Sequence, residues 1–236
     1  MLICLLPVLV VAIILSVYAV NTLLVAGIEI VGESRYDDAA IAKTSTVSEG
    51  QRLLLISRKA VKNELLENLP YIENVKISLI PPGLVRITVT PAIERCQAIL
   101  PEGKYVISES WRILGEVQAD HDLLPLLKAE LPERQQIGDT LAFFSESEQR
   151  LCVDIFNVLK DNDILKDISE IDMINTAEIS LEYLSRFRVE LGDKLDLAAK
   201  LQLVEASAGS LLETARGVLD ATLDGRVSYR PGRKGQ

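Results

Sequence analysis

The sequence predicts an α+β protein with a single N-terminal transmembrane helix, then a small β-α-α-β-β module and a mainly antiparallel β domain with flanking helices. Three observations predict it. Residues 1–28 carry no charged side chain, the next region joins helical patterns to strictly alternating segments, and the remainder repeats short alternating segments around two helical patterns. We assign residues 1–27 to the transmembrane helix, 28–92 to the small module, 93–230 to the β domain and 231–236 to a basic polar tail.

The uncharged N-terminal stretch predicts attachment to a membrane. A bilayer core of about 30 Å needs about 20 apolar residues in a helix, and the apolar run from Leu2 to Gly27 exceeds that length. A cleaved signal peptide is the alternative, with Val17 and Ala19 as small residues before the cut. The stretch lacks a basic start and is longer than the usual apolar core of about 7–15 residues. A membrane-spanning helix is therefore favoured, although no charge asymmetry orients it.

The small module begins with a strand and two helices. Ile28 and Ile30 flank Glu29, as in a short strand, and residues 37–45 form a short helical pattern. The second helix begins at Ser57, which can cap its N-terminus, and stops before Pro70, because proline disfavours a helical conformation at the preceding residue.

Two alternating segments complete this module. Their apolar residues are Val75, Ile77 and Leu79 in the first and Val85, Ile87 and Val89 in the second, with the corner Pro81-Pro82-Gly83 between them. Alternation of this kind predicts a hairpin with one apolar face. We expect the two helices to lie on one face of a three-stranded sheet.

The β domain shows the same two kinds of pattern. Short strands are predicted within residues 98–117 and 179–191, and helices within 145–162 and 195–215. A final hairpin is predicted from Leu219 to Tyr229, with Asp224-Gly225 as a two-residue turn.

The chemistry-bearing residues do not form a recognisable catalytic or cofactor-binding motif. The one histidine, His121, is expected on a surface loop, and no nucleotide-binding or hydrolase motif is present. Trp111 is expected to pack in the core, and Cys4, Cys96 and Cys152 to be buried thiols, with a Cys96–Cys152 disulfide left open. We therefore predict no enzyme activity, no cofactor and no metal.

The charge distribution argues against nucleic acid as a partner. The net charge is −9, and the acidic excess lies in residues 96–225, whereas phosphate binding requires a basic face. The remaining class of function is recognition of other proteins.

The last predicted strand is the candidate binding site. No later segment can cover Arg226 to Arg230, so its edge can pair with a strand of another chain. Val227 and Tyr229 are expected on one face, and Arg226 and Arg230 on the other. The predicted partner-binding residues are Leu223, Arg226, Val227, Ser228, Tyr229 and Arg230, with Leu223 as an apolar support on the neighbouring strand.

A series of short motifs follows a fixed order along the chain. They are Gly50, Leu53 to Ile56, Leu69-Pro70-Tyr71-Ile72, Val75, Pro81 and Ile87-Thr88-Val89, then Tyr105-Val106-Ile107, Val189-Glu190-Leu191-Gly192, Lys200-Leu201 and Leu219-Asp220. In this order and spacing the chain resembles the FtsQ/DivIB family of bacterial cell-division proteins over essentially its whole length.

The resemblance implies the rest of the expected function. Residues 28–92 would be a POTRA domain, and the protein would be a single-pass protein of the cell membrane at the division septum. Its N-terminus would be cytoplasmic and most of the chain extracytoplasmic. It would be a non-enzymatic divisome component that binds FtsL-type and FtsB/DivIC-type proteins and septal peptidoglycan synthases, and that helps control septal peptidoglycan synthesis. In the family the final strand is the main partner edge.

Two other functions stay open. One is a membrane-anchored POTRA chaperone or secretion component, which usually repeats the module. The other is an anchored cell-wall enzyme, for which the sequence offers no matching nucleophile, base and metal ligands.

Overall fold

A computed structural model describes residues 10–11, 18, 23–118, 121, 123–223 and 225–232. The chain divides into two compact units, residues 1–93 and 94–236. Among the described residues, no helix has both the length and the apolar character needed to cross a bilayer. The predicted transmembrane helix falls mainly on residues 1–22, so most of it lies outside the described part of the chain.

The first unit has the predicted order of elements. They are β1 (Gly27–Val31), α1 (Asp38–Thr44), a short 3-10 turn (Leu53–Leu55), α2 (Arg58–Asn68), β2 (Ile72–Ile80) and β3 (Leu84–Pro91). In the described residues the three strands form one sheet in the order β1-β3-β2, with β1 parallel and β2 antiparallel to β3.

Helix α2 shows how the local sequence produces these elements. The Ser57 hydroxyl accepts a hydrogen bond from the Ala60 N–H at 3.3 Å, which satisfies one of the unpaired donors at the helix start. Val61 and Leu65 lie one turn apart and are buried in the core beneath the helix. The helix ends at Asn68, just ahead of Leu69 and Pro70, as predicted.

The second unit contains nine described strands and two helices. Its elements are β4 (Glu94–Leu100), β5 (Gly103–Ser108), β6 (Ile113–Glu116), β7 (Leu126–Lys128), α3 (Glu146–Asp161), β8 (Ile168–Asp172), β9 (Ile179–Tyr183), β10 (Phe187–Gly192), α4 (Leu197–Ser210), β11 (Gly217–Asp220) and β12 (Ser228–Pro231).

These strands form a single mixed sheet. Their order is β12-β11-β10-β9-β8-β7-β4-β5-β6. The pairs β4–β7, β7–β8 and β10–β11 are parallel, and the other five pairs are antiparallel. Helices α3 and α4 pack together and bury their apolar residues in one core with the sheet.

The final hairpin differs from the prediction. Strands β11 and β12 do pair antiparallel, but Asp220 lies opposite Ser228, so residues 221–227 connect them. The predicted two-residue turn at Asp224-Gly225 is therefore wrong. A dipeptide that favours a tight turn does not fix the register, because strand pairing and burial also decide it.

The lone histidine is also not where the sequence suggested. His121 lies in a loop, but its side chain is 1% exposed. Its Nδ1 accepts the Gln118 N–H at 2.8 Å, and its Nε2 lies 3.4 Å from Glu94 Oε1. The expected surface position is wrong because these polar partners allow the imidazole to be buried.

The other buried groups match the sequence expectations. Trp111 lies in the core, where its ring is edge-on to Phe156 at 5.3 Å between centroids. Cys96 and Cys152 are buried free thiols. Burial raises the pKa of Cys96 to about 12 and also raises the pKa of Cys152, so neither is a ready thiolate nucleophile. Cys4 lies outside the described residues.

Candidate protein-binding edge

Strand β12 forms one end of the nine-stranded sheet. It pairs with β11, and its register sets Tyr229 opposite Leu219 and Arg230 opposite Val218. Within the part of the chain that the structure describes, no segment pairs with its other side. An uncovered edge presents backbone N–H and C=O groups to which another strand can bond.

One hydrogen bond fixes which backbone groups face the neighbouring strand. The Gly232 N–H donates to the Arg216 C=O at 2.9 Å, so these residues form a hydrogen-bonded pair of the antiparallel ladder. Such pairs alternate with non-hydrogen-bonded pairs. The backbone groups of Ser228 and Arg230 therefore also face β11.

The same alternation defines the outer edge. Tyr229 and Pro231 occupy the intervening positions, so their backbone groups face away from β11. Proline has no N–H. The outer edge of β12 thus offers one donor, the Tyr229 N–H, and two acceptors, the carbonyls of Tyr229 and Pro231.

The side chains of Val227 and Tyr229 point toward the core, on one face as predicted. Both are partly buried against it. The Tyr229 ring is edge-on to Phe187 at 6.2 Å between centroids, and its hydroxyl donates to the Arg216 C=O at 3.0 Å. These contacts hold β12 on the sheet from the core side, so substitutions of the two side chains affect folding as well as any binding.

Arg230 holds the strand from the opposite face of the sheet. Its guanidinium contacts the Glu190 carboxylate on β10 and lies 3.5 Å from Asp220 Oδ2 on β11. Arg230 therefore spans two strands. Two carboxylates, those of Glu190 and Asp220, face this one guanidinium. Arg226 adds a second favourable charge interaction with Asp220.

The Asp220 carboxylate also accepts two hydrogen bonds from Thr222. The Thr222 hydroxyl donates to its Oδ1 at 2.7 Å and the Thr222 N–H donates at 3.1 Å. These two bonds, together with the charges of Arg230 and Arg226, lower the pKa of the Asp220 carboxyl below its usual value. The carboxylate therefore stays charged over the whole neutral range.

Leu223 and Arg226 lie in the connection between β11 and β12. Both are exposed, Leu223 at 54%. Leu223 was expected on the neighbouring strand, and this expectation is wrong because β11 ends at Asp220. The structure thus brings Ser228, Tyr229 and Arg230 together on the edge and leaves Leu223 beside it.

The opposite end of the sheet gives a useful contrast. On β6, the Ile113 N–H donates to Asp139 C=O at 2.9 Å, and its carbonyl accepts the Gly138 N–H at 2.8 Å. The Leu141 N–H donates to the C=O of Trp111, just before the strand, at 2.6 Å. The segment around residues 138–141 therefore covers part of this edge, whereas β12 has no equivalent cover in the described residues.

A polar concavity of about 640 Å³ adjoins the edge and includes Glu190 and Thr222. It also contains Arg188, which donates to the Ser180 hydroxyl at 3.1 Å. No cluster of three His, Cys, Asp or Glu side chains suited to a metal ion occurs in the described residues. The chemistry that this region offers is strand pairing and charge recognition.

Sequence reasoning missed the residues that support the edge from within the domain. Phe187 and Glu190 lie on β10, on the far side of helix α4 in the sequence, and Arg216 comes just before β11. They meet β12 because β10 and β11 pair in parallel across helix α4. Neither alternation nor turn residues reveal such a non-local pairing; the Val189-Glu190-Leu191-Gly192 motif marked the strand but not the role of Glu190.

Comparison with known proteins bears on the first unit. A family model described as a POTRA domain of the FtsQ type matches residues 23–90. The match covers β1, α1, α2 and β2 and nearly all of β3. No curated protein matches the chain.

Proposed function

We propose that the chain, whose residues 23–90 match a POTRA domain of the FtsQ type, is a non-enzymatic divisome component of the FtsQ/DivIB family that binds other division proteins through β12. Its partners would be membrane proteins of the FtsL and FtsB/DivIC types and septal peptidoglycan synthases. Through these contacts it would help control septal peptidoglycan synthesis during division. No catalytic step or cofactor is part of the proposal.

The observation that carries the binding site is the uncovered outer edge of β12. An added strand gains affinity from backbone hydrogen bonds and selectivity from alternate side chains. The Tyr229 N–H can donate a hydrogen bond to such a strand, and the Tyr229 C=O can accept one from it. Arg226 and the Arg230–Glu190–Asp220 group lie close by and supply charges that select a partner.

The proposed location follows from the family and from the absence of charged side chains in residues 1–28. This stretch would form one membrane-spanning helix with a cytoplasmic N-terminus, and both folded units would lie outside the cytoplasm at the division septum. A fluorescent fusion to the full chain should collect at the septum of dividing cells. A uniform distribution over the cell surface would contradict the proposed location.

The sharpest test of the edge removes a single donor. Amber suppression with the hydroxy acid of tyrosine replaces the Tyr229 amide nitrogen by an ester oxygen. We expect this change to weaken binding of FtsB/DivIC-type partners about fivefold, since a hydrogen bond contributes roughly 1 kcal/mol. The Tyr229 side chain is unchanged, so its contacts with Phe187 and Arg216 stay. Affinity is measured with the full chain in detergent.

Two controls make this test decisive. Full chain with tyrosine reinserted at position 229 by the same suppression should bind normally, and circular dichroism should show equal folding of both proteins. Unchanged affinity in the ester variant would move the site away from β12 while leaving a division role intact. Failure of the unmodified full chain to bind any of the division partners would contradict the proposed function itself.

A further inference from the structure

Exposed leucines collect at one end of the first unit. Leu24, Leu54 and Leu55 are all exposed, Leu55 at 61%. Leu24 forms an isolated β-bridge with Arg52, and the Leu53 N–H donates to the Leu23 C=O at 2.8 Å. The leucines therefore belong to two adjoining segments. Single exposed leucines are ordinary, whereas larger contiguous apolar patches are typical of interaction sites, including sites that contact membranes.

The exposure of Leu54 and Leu55 is built into the fold. They lie in the 3-10 turn between Leu53 and Ile56, which are both buried in the core of the first unit. The Leu55 N–H donates to Arg52 C=O at 3.1 Å and closes the turn. Because its two ends are fixed inward, the turn holds the middle two leucines outward.

The Pro81-Pro82-Gly83 corner lies at this same end. The Gly83 carbonyl accepts the Ala26 N–H at 2.7 Å. A Cβ atom on Gly83 would lie 2.5 Å from the Leu24 carbonyl oxygen, which is closer than atoms approach without a shift, so glycine permits the contact. Pro81 and Pro82 are exposed beside it and extend the apolar surface.

Basic side chains flank the leucines. Arg52 precedes the turn, and Arg58 and Lys59 begin helix α2; all three are exposed, and none forms an ion pair in the part of the chain that is described. Between residues 49 and 59, Glu49 is the one acidic residue. This composition is unusual in a chain whose net charge is −9.

We infer that this end of the first unit, formed by Leu24, Arg52, Leu54, Leu55, Arg58 and Lys59, rests on the surface of a bilayer that contains anionic lipids. Apolar side chains enter the headgroup boundary and basic groups bind anionic headgroups in such contacts. The uncharged residues 1–22 lead directly to Leu23 and Leu24. The inference rests on the membrane attachment proposed above, but it requires no division partner.

The test places a tryptophan in the surface. Full chain carrying Leu55→Trp is reconstituted in phosphatidylcholine vesicles with and without phosphatidylglycerol, and brominated lipids serve as quenchers. The chain has one natural tryptophan, Trp111, which is buried and whose signal in the unchanged chain gives the baseline. Val31→Trp is the matched control, since Val31 lies at the other end of β1, about 13 Å from Gly27 at about 3.3 Å per residue.

We expect quenching several-fold stronger for Leu55→Trp than for Val31→Trp, and stronger still with phosphatidylglycerol. Equal and weak quenching of both variants in a chain that floats with the vesicles would overturn the inference and leave membrane attachment standing. A chain that does not float even with anionic lipid would overturn both. A fluorescence shift of Leu55→Trp that grows with protein concentration without vesicles would assign the surface to a second copy instead.

Charge reversal tests the basic part separately. Arg58→Glu with Lys59→Glu should abolish the extra quenching of Leu55→Trp that phosphatidylglycerol produces. Lys104→Glu with Arg150→Glu changes the net charge equally on exposed residues of the second unit and should leave that extra quenching unchanged. Raising the salt concentration should also abolish this extra quenching, because the screening length falls from about 10 Å at 0.1 M to about 3 Å at 1 M salt. The same loss with both pairs would overturn the headgroup assignment.

Discussion

The Asp220 carboxylate on β11 lies close to the Arg230 guanidinium on β12. Its contribution to the stability of the folded protein should depend on pH. Its pKa is lowered in the folded protein, chiefly by the two Thr222 hydrogen bonds. A group with a lowered folded pKa contributes stability above its unfolded pKa, about 3.9 for Asp, and loses this contribution as pH falls through the folded value.

Asp220→Asn should therefore lower the free energy of unfolding at neutral pH by less than about 1 kcal/mol, since the carboxylate is partly exposed and water screens its charge interactions. The difference from the natural chain should shrink as the pH falls below about 4. Denaturant unfolding at a series of pH values measures it. A difference between Asp220→Asn and the natural chain that stays constant over this pH range would contradict the assignment.

Single residues also show where sequence reasoning fails. Tyr229 and Val227 were correctly placed on one face, because alternation along a strand is a local property. The burial of His121 could not be predicted, since its partner Glu94 lies at the start of β4, three strands earlier in the chain. A polar residue can be buried wherever distant groups satisfy it, and a local pattern does not contain that information.

Among the elements, helix α3 has the most complete start. The Ser145 hydroxyl accepts the Glu148 N–H at 3.2 Å, and the Glu148 carboxylate accepts the Ser145 N–H at 3.2 Å. This reciprocal arrangement satisfies two donors that the first turn leaves unpaired. The helix carries Leu151, Ile155 and Phe156 into the core, so its start supports much of the second unit.

Ser145→Ala should reduce the free energy of unfolding by about 1 kcal/mol, within the range of about 0.5–2 for such caps. Chemical denaturation followed by circular dichroism measures the change. Glu148→Gln is the matched variant and should lower stability less, because a glutamine can still accept from the Ser145 N–H. An equal loss in both variants would show that the charge of Glu148 contributes as much as the hydrogen bond to the Ser145 hydroxyl, and no loss in Ser145→Ala would contradict the role of the cap.

Elements bounded by local signals were predicted well, and their pairing was predicted less well. Ser57 and Pro70 marked helix α2, and alternation marked β2 and β3. Local sequence could not reveal that β4, β7 and β8 pair in parallel, or that β10 pairs with β11. Parallel partners are joined by long crossovers, so the residues that meet are far apart in the chain.

At the scale of the whole molecule, the two units have separate hydrophobic cores. The core of the first unit includes Leu65 on α2, and that of the second includes Leu159 on α3; both side chains are fully buried. The sequence predicted a boundary between two folded domains after residue 92, and the compact units of the structure divide between residues 93 and 94.

Leu65→Ala and Leu159→Ala form a matched pair for testing the separation of the cores. Each should lower the stability of its own unit by about 2–5 kcal/mol, because a cavity replaces buried methyl groups. Hydrogen exchange measured by mass spectrometry on the full chain should show faster exchange within residues 23–91 for the first variant and within 94–223 for the second. Faster exchange in both units from either change would contradict separate cores.

The short outer edge of β12 also limits how far strand pairing can spread. An uncovered edge is a template for aggregation when it is long and regular. Here the four-residue strand ends in Pro231, and Tyr229 offers its one outward N–H. An added antiparallel strand could form a reciprocal pair of backbone hydrogen bonds only at Tyr229, and a second molecule of the same chain would meet an edge equally poor in donors. This end of the sheet can thus pair with a partner strand and still be a poor template for the strand-by-strand growth of a fibril.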